Sequence, residues 1–281
     1  MTDNSRRRFI CVAGGLLAAC LMPAHAKADL ELQQAGALRI AVYAGFAPYS
    51  DRGKGVDVAI GQALARRLGL QAQVAEFPAG ETMNDDLRNM VWRGHYLGTQ
   101  PGDVMLHVPV DLDFARSNKQ VTIFGPYHLE TMALARNPQQ VPAPQGSAAN
   151  AFEVFTREKI GAEVDTHASD FLLHVLNGRL RENVVHFRTV PEAAEAMSRG
   201  EVSAVLGTYT QLEAAFAGSQ GVAIDALSMP EMRVTGWPIG MAVKAESTEL
   251  AAALSEALAD LQRSGELDQI FKDHGLTHRL P

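Results

Sequence analysis

The stretch from Gly102 to Arg136, GDVMLHVPVDLDFARSNKQVTIFGPYHLETMALAR, constrains this chain more than any other. Val104 to Val110 is an apolar run with His107 as its only polar residue, and such a run reads as a buried strand. A polar bend follows. Val121 to Phe124 reads as a second strand, Gly125-Pro126-Tyr127 breaks it, and Thr131 to Ala135 resumes it. A chain that stops, turns on Gly-Pro and becomes β-rich again is crossing from one lobe to another. That crossing puts the mouth of a cleft beside Tyr127.

Strand and helix patterns alternate on both sides of it. Leu38 to Tyr43 predicts a first strand. Val56 to Leu68 predicts a helix, with Val56, Ile60, Ala63, Leu64 and Leu68 at helical spacing and Gly69 just past its end. Leu70 to Phe77 predicts a second strand, and Asn84 to Gly94 a short helix. Beyond the crossing, Asn137 to Gly146 carries three prolines and reads as a linker. Helices are predicted at Asn150–Lys159, Phe171–Leu176, Pro191–Arg199 and Thr208–Phe216, and strands at Ile160–Val164, Val184–Phe187 and Val202–Leu206. Gly236 to Val243 is a return crossing. Glu249 to Arg263 is an amphipathic helix with Leu250, Leu254, Leu258 and Leu261 on one face, and Leu267 to His274 a last short one. The expected fold is α/β, with two lobes of mainly parallel sheets, helices on both faces and two hinge crossings. Lobe 1 is expected to take residues 27–130 and 240–281, and lobe 2 residues 131–239.

A ligand site is expected in the interlobe cleft, at the carboxyl ends of the strands. Phe46 and Tyr49 flank Pro48 in the loop after the first strand, where they either face a ligand or plug the sheet. Glu76 ends the second strand. Thr166 or Ser169 caps the helix after Ile160–Val164, with His167 beside it. A capped helix start fed by a strand can take an anion. Thr208 follows the strand at Val202–Leu206, Tyr127 sits at the first crossing and Trp237 at the return. His107 and Asp111 are spaced to act as base and orienter. His107, His128 and Glu130 surround the crossing, yet no pair among the nine histidines has a recognised metal spacing. With no nucleophile motif and no phosphate loop, a non-catalytic protein without metal or cofactor is expected.

The amino terminus reads as an export signal. Ser5-Arg6-Arg7-Arg8-Phe9-Ile10 is a basic start that fits either the twin-arginine or the ordinary secretory route. Phe9 to Met22 is 14 residues without a charge, short of the roughly 20 a spanning helix needs. Ala24-His25-Ala26 offers a cleavage site, giving a periplasmic chain from Lys27 with no transmembrane helix. Leu17-Ala18-Ala19-Cys20 offers a lipoprotein box instead. The formal charge is −7; without the +2 of residues 1–26 the remainder carries −9. So acidic a chain is a poor partner for nucleic acid. Cys11 and Cys20, the only cysteines, both lie in the signal, so the exported part has no disulfide and no thiolate.

Gly55-Val56-Asp57-Val58, Ile123-Phe124-Gly125-Pro126-Tyr127, Gly200-Glu201-Val202-Ser203-Ala204-Val205 and Leu261-Gln262-Arg263-Ser264-Gly265-Glu266-Leu267 occur in this order. In that order the chain resembles the periplasmic solute-binding proteins of the amino-acid class (type 2, family 3) from about Leu38 to Leu276. The resemblance implies two lobes that close on a small ligand and deliver it to an ABC permease. It also implies an arginine for the ligand carboxylate at a register that here falls on Ser117, one place from Arg116. The family's aspartate for the ligand ammonium falls on Thr208, and the Asp of its Val-Asp-Ala-Val strand on Ser203. A buried zwitterion needs such charge-assisted bonds, so a standard amino acid is not the expected ligand. The segments from Asp85 to His95 and from Asp103 to Asp111 resemble a narrower group, the methanol-oxidation J-type proteins found with PQQ-dependent alcohol dehydrogenases. That likeness implies an accessory role beside a quinoprotein dehydrogenase.

Overall fold

In chain order the protein folds as β1 (Ala37–Tyr43), α1 (Val56–Leu68), β2 (Gln71–Phe77), α2 (Met83–Leu87), β3 (Val104–Pro109), α3 (Leu112–Ser117) and β4 (Val121–Arg136). Next come α4 (Ala148–Phe152), β5 (Ile160–Glu163), α5 (His167–His174), β6 (Val184–Phe187), α6 (Val190–Ser198), β7 (Ala204–Thr208) and α7 (Tyr209–Ala215). The chain ends with β8 (Ala223–Ala226), β9 (Gly236–Lys244), α8 (Thr248–Ser264) and α9 (Glu266–Asp273). This is a computed structural model, and it describes residues 30–95 and 98–281. The predicted signal, with Cys11 and Cys20, lies outside the described residues.

The strands hydrogen-bond in the order β2-β1-β3-β9-β4-β7-β5-β6, with β8 also on β4. Parallel pairs form the two ends: β1 with β2 and β3, and β5 with β6 and β7. The middle is antiparallel, because β4 and β9 run through both lobes. β4 pairs with β9 as far as Thr131 and with β7 from Met132. Strand alternation then places Met132 and Leu134 in one core with Phe152, Phe155 and Leu172. Ala133 and Ala135 face the opposite core, with Val190, Val205 and Leu212. In lobe 1, Tyr43, Phe77, Leu87, Met90 and Met105 form a further cluster. On α8, Leu250, Leu254, Leu258 and Leu261 are buried, the face its spacing predicts.

Three local readings are corrected. Gly125-Pro126-Tyr127 does not interrupt the crossing; β4 is one 16-residue strand whose register on β9 slips between Phe124 and His128. Pro126 has no N–H to give the ladder, and Gly125 takes a left-handed φ of 61°, so the segment bulges and continues. The polar bend after β3 is the short helix α3, capped by Asp111 through the Phe114 N–H. The helix predicted from Asn84 ends at Leu87 and continues as one π-helical turn, Arg88–Trp92. β8, four residues on the far side of β4, is not among the strands predicted from sequence.

Candidate functional site

A cavity of about 660 Å³ opens where the carboxyl ends of β5 and β7 meet the loop after β1. The residues after β5, from Asp165 through Ser169 and Asp170, form one wall. Gly207, Thr208 and Gln211, at the junction of β7 and α7, form another. Met132, Leu206 and Trp237 come from strands, and Phe46 reaches in from lobe 1. Thr166 caps α5 by accepting the Ser169 N–H at 3.3 Å. Trp237 meets the His167 ring edge-on at 5.6 Å. Phe46 is held from behind by Tyr49, stacked at 5.3 Å, and by His107, edge-on at 4.8 Å.

The charge in this cavity has one sign. Glu163, Asp165 and Asp170 line it, and no lysine or arginine does. Burial pushes the Glu163 carboxyl above its ordinary range, although the Val190 N–H binds it. Arg116 lies elsewhere, three-quarters exposed and paired with Asp113 at 3.0 Å. Ser117 donates to the Asp113 carbonyl. Neither residue at the register of the family's arginine reaches the cavity.

Two buried polar networks fix the walls. In the first, the Asp57 carboxylate in the first turn of α1 accepts from the Tyr127 hydroxyl at 2.7 Å and lies 3.1 Å from His107 Nδ1. The Tyr127 oxygen in turn accepts the His107 N–H at 2.9 Å. His107 stands at a bulge of β3 with a left-handed φ of 63°, and these bonds hold it there. Gly55 precedes the helix because a Cβ there would lie 2.2 Å from the Tyr49 carbonyl oxygen.

The second network runs between the lobes. The Tyr49 hydroxyl donates to Glu130 on β4, and burial together with that carboxylate pushes the phenol pKa well up. Glu130 also accepts from Thr210, N–H at 3.4 Å and Oγ1 at 3.2 Å. His128 Nε2 lies 3.1 Å from Thr210 Oγ1, while its Nδ1 accepts the Arg279 N–H at 3.2 Å. The accepting Nδ1 fixes the tautomer: Nε2 carries the proton and gives it to Thr210, whose own proton goes to Glu130. Burial first, and then the neighbouring His278 and Arg279, hold the His128 pKa down to about 3. Glu130 thus ties the Phe46–Tyr49 loop on one side of the cleft to the start of α7 on the other.

Among the residues singled out from sequence, Phe46, Thr166, His167, Thr208 and Trp237 line the cavity. Tyr49 and Tyr127 are fully buried behind it. His107 is buried too and partners Asp57, so the pairing of His107 with Asp111 is not formed. Asp111 caps α3 instead, and Glu76 accepts the Gly53 N–H at 2.6 Å in an exposed turn. Glu163, Asp165, Asp170 and Gln211 were not singled out, and their position just after β5 and β7 was the signal that could have found them. Among the described residues no group of three His, Cys, Asp or Glu side chains could hold a metal. No helix among them is long and apolar enough to cross a membrane.

No protein-family model matches the sequence, and a search of curated proteins gives no match. Solved structures do match. An ancestral cationic amino acid solute-binding protein superposes with a TM-score of 0.65 at 18% identity, over 85% of this chain and 95% of that one. An amino acid ABC transporter substrate-binding protein from Streptococcus pneumoniae, bound to L-arginine, gives 0.59 at 16%, over 87% and 96%. An ancestral amino-acid-binding protein described as a precursor of cyclohexadienyl dehydratase gives 0.56 at 17%, over 85% and 94%. The chain has the two-lobed α/β fold of the periplasmic solute-binding proteins.

Proposed function

We propose that this protein is an exported, non-catalytic binding protein whose interlobe cavity takes a small solute other than a standard amino acid. The observation that carries the reading is a cavity of about 660 Å³ at the strand ends without a lysine or arginine in its wall. A free α-carboxylate in it would face Glu163, Asp165 and Asp170 with no counter-cation. A lobe boundary near 130/131 is supported by the change of partner along β4, from β9 at Thr131 to β7 at Met132, and one near 239/240 by the start of the β3 pairing of β9 at Ile239. Such a receptor would act in the periplasm, after cleavage at Ala26 rather than acylation of Cys20, and hand its solute to an ABC permease. The test is calorimetric titration of the chain from Lys27 with the twenty amino acids and a metabolite panel. The expected result is no binding of glutamate or lysine and saturable binding of a compound that is not an amino acid. Measurable glutamate or lysine binding overturns the reading.

A second reading is an accessory role beside a PQQ-dependent methanol or alcohol dehydrogenase. It is supported by the J-type likeness of residues 85–95 and 103–111. These segments pack together, with Leu87, Met90 and Val91 in one buried cluster with Met105 and Val108. The partner would then be met by the protein surface, since PQQ is a tricarboxylate and suits the acidic cavity poorly. Co-purification with the dehydrogenase, and no solute in the panel, would favour this role.

A further inference from the structure

We propose that the cavity selects organic cations: amines or quaternary ammonium compounds with an apolar body and no carboxylate. The proposal deepens the solute-binding reading and rests on it. Its first ground is the pairing of wall types. Phe46 and Trp237 bring aromatic rings into the same space as Glu163, Asp165 and Asp170. Aromatic faces attract cations through their quadrupole, and carboxylates attract them by charge. An anion gains from neither. The rest of the wall, with Met132 and Leu206, is apolar and suits a hydrocarbon body.

The second ground is a comparison of magnitudes. The start of α5 faces the cavity and carries a helix dipole equivalent to about half a positive charge. Part of that end is already used: Thr166 takes the Ser169 N–H through Oγ1 and the Asp170 N–H through its carbonyl. Against it stand three carboxylates, with no lysine or arginine in the wall; Asp170 lies 3.3 Å from the exposed His174 Nδ1 outside the cavity. The field inside is therefore negative. The third ground is Phe46 itself. Tyr49 and His107 fix its ring from behind, so its exposed face is presented to the cavity without an ordering cost on binding.

The experiment is isothermal titration calorimetry on the chain from Lys27 at pH 7.5. The probes are 2-phenylethylamine, tyramine and choline, with 2-phenylethanol as neutral isostere, 3-phenylpropionate as anion and L-phenylalanine as zwitterion. At least one amine or choline is expected to bind tenfold or more tightly than the neutral, anionic and zwitterionic probes. In the double variant Asp165→Asn, Asp170→Asn that preference should fall at least threefold; both residues are exposed, and Asn suits the left-handed φ of 58° at Asp165. Circular dichroism checks that the variant is folded. Equal or tighter binding of 2-phenylethanol or 3-phenylpropionate overturns the cation proposal and leaves the solute-binding reading standing. If the cationic probes and the whole metabolite panel fail to bind, both fall together.

Discussion

Protonating His128 inside the fold would break its bond from the Arg279 N–H and place a buried cation next to His278 and Arg279. The folded protein therefore keeps the ring neutral down to about pH 3, while an unfolded histidine takes up its proton near 6.5. The folded pKa is the depressed one, so the stabilisation is present above about pH 6.5. It is lost as pH falls from there towards 3, by about 1.4 kcal/mol per pH unit. In His128→Asn this loss is absent. We expect the variant to be less stable than wild type at pH 7.5 by about 1–3 kcal/mol, from the disturbed bonds to Arg279 and Thr210. At pH 4.5 the difference should move by about 2.7 kcal/mol in the variant's favour. Urea unfolding at the two pH values measures it, and an unchanged gap would show that the ring is not held neutral.

At the scale of the element, β4 explains most of what the sequence hid. Gly-Pro reads locally as a stop, but a strand whose pairing on β9 holds before and after it can absorb it as a bulge. Gly125 is the residue that permits this, with its left-handed φ and with Met241 Cε only 2.7 Å from where a Cβ would sit. Gly125→Ala is expected to cost about 1–2 kcal/mol in urea unfolding, mainly from that φ. A change below about 0.5 kcal/mol would mean that the bulge does not depend on it. By contrast α1 and β6 are legible to the residue, because a strong period and a terminal Gly69 mark one, and four apolar-rich residues between turns the other. α3 and β8 were not, since six or four residues carry no period. Of the residues read from sequence, those at or just past strand ends, Phe46, Thr166, His167 and Thr208, line the cavity. The acidic residues beside them were not legible, because carboxylates in loops resemble ordinary solvated ones. The partnerships behind the cavity were illegible for a different reason. Asp57 meets His107 and Tyr127, and Tyr49 meets Glu130, across 50 to 81 residues of chain. Only the fold brings such pairs together.

Across the whole molecule, the two lobes are joined by β4 and β9 and by a third link, residues 277–281. Thr277 gives its N–H and hydroxyl to Glu213 on α7, at 2.8 and 2.6 Å. His278 bonds Asp268 on α9 and, through Nε2, the Tyr127 carbonyl at 2.7 Å. The Leu129 N–H binds the Arg279 carbonyl at 2.9 Å, and the Arg279 guanidinium lies 3.5 Å over the Tyr209 ring. Deleting 277–281 is expected to lower stability by about 2–5 kcal/mol and to speed hydrogen exchange across Tyr209–Ala215. Exchange unchanged in that helix would show that the segment carries no load between the lobes. These contacts fall on Tyr127, His128 and Leu129, where β4 has slipped its register on β9. A torsion bar yields at its thinnest section, and here that section is splinted from outside by the end of the chain. The splint is anchored at Glu213 and Tyr209, side chains outside the cavity wall, so a substitution there would loosen this crossing without changing what the cavity presents.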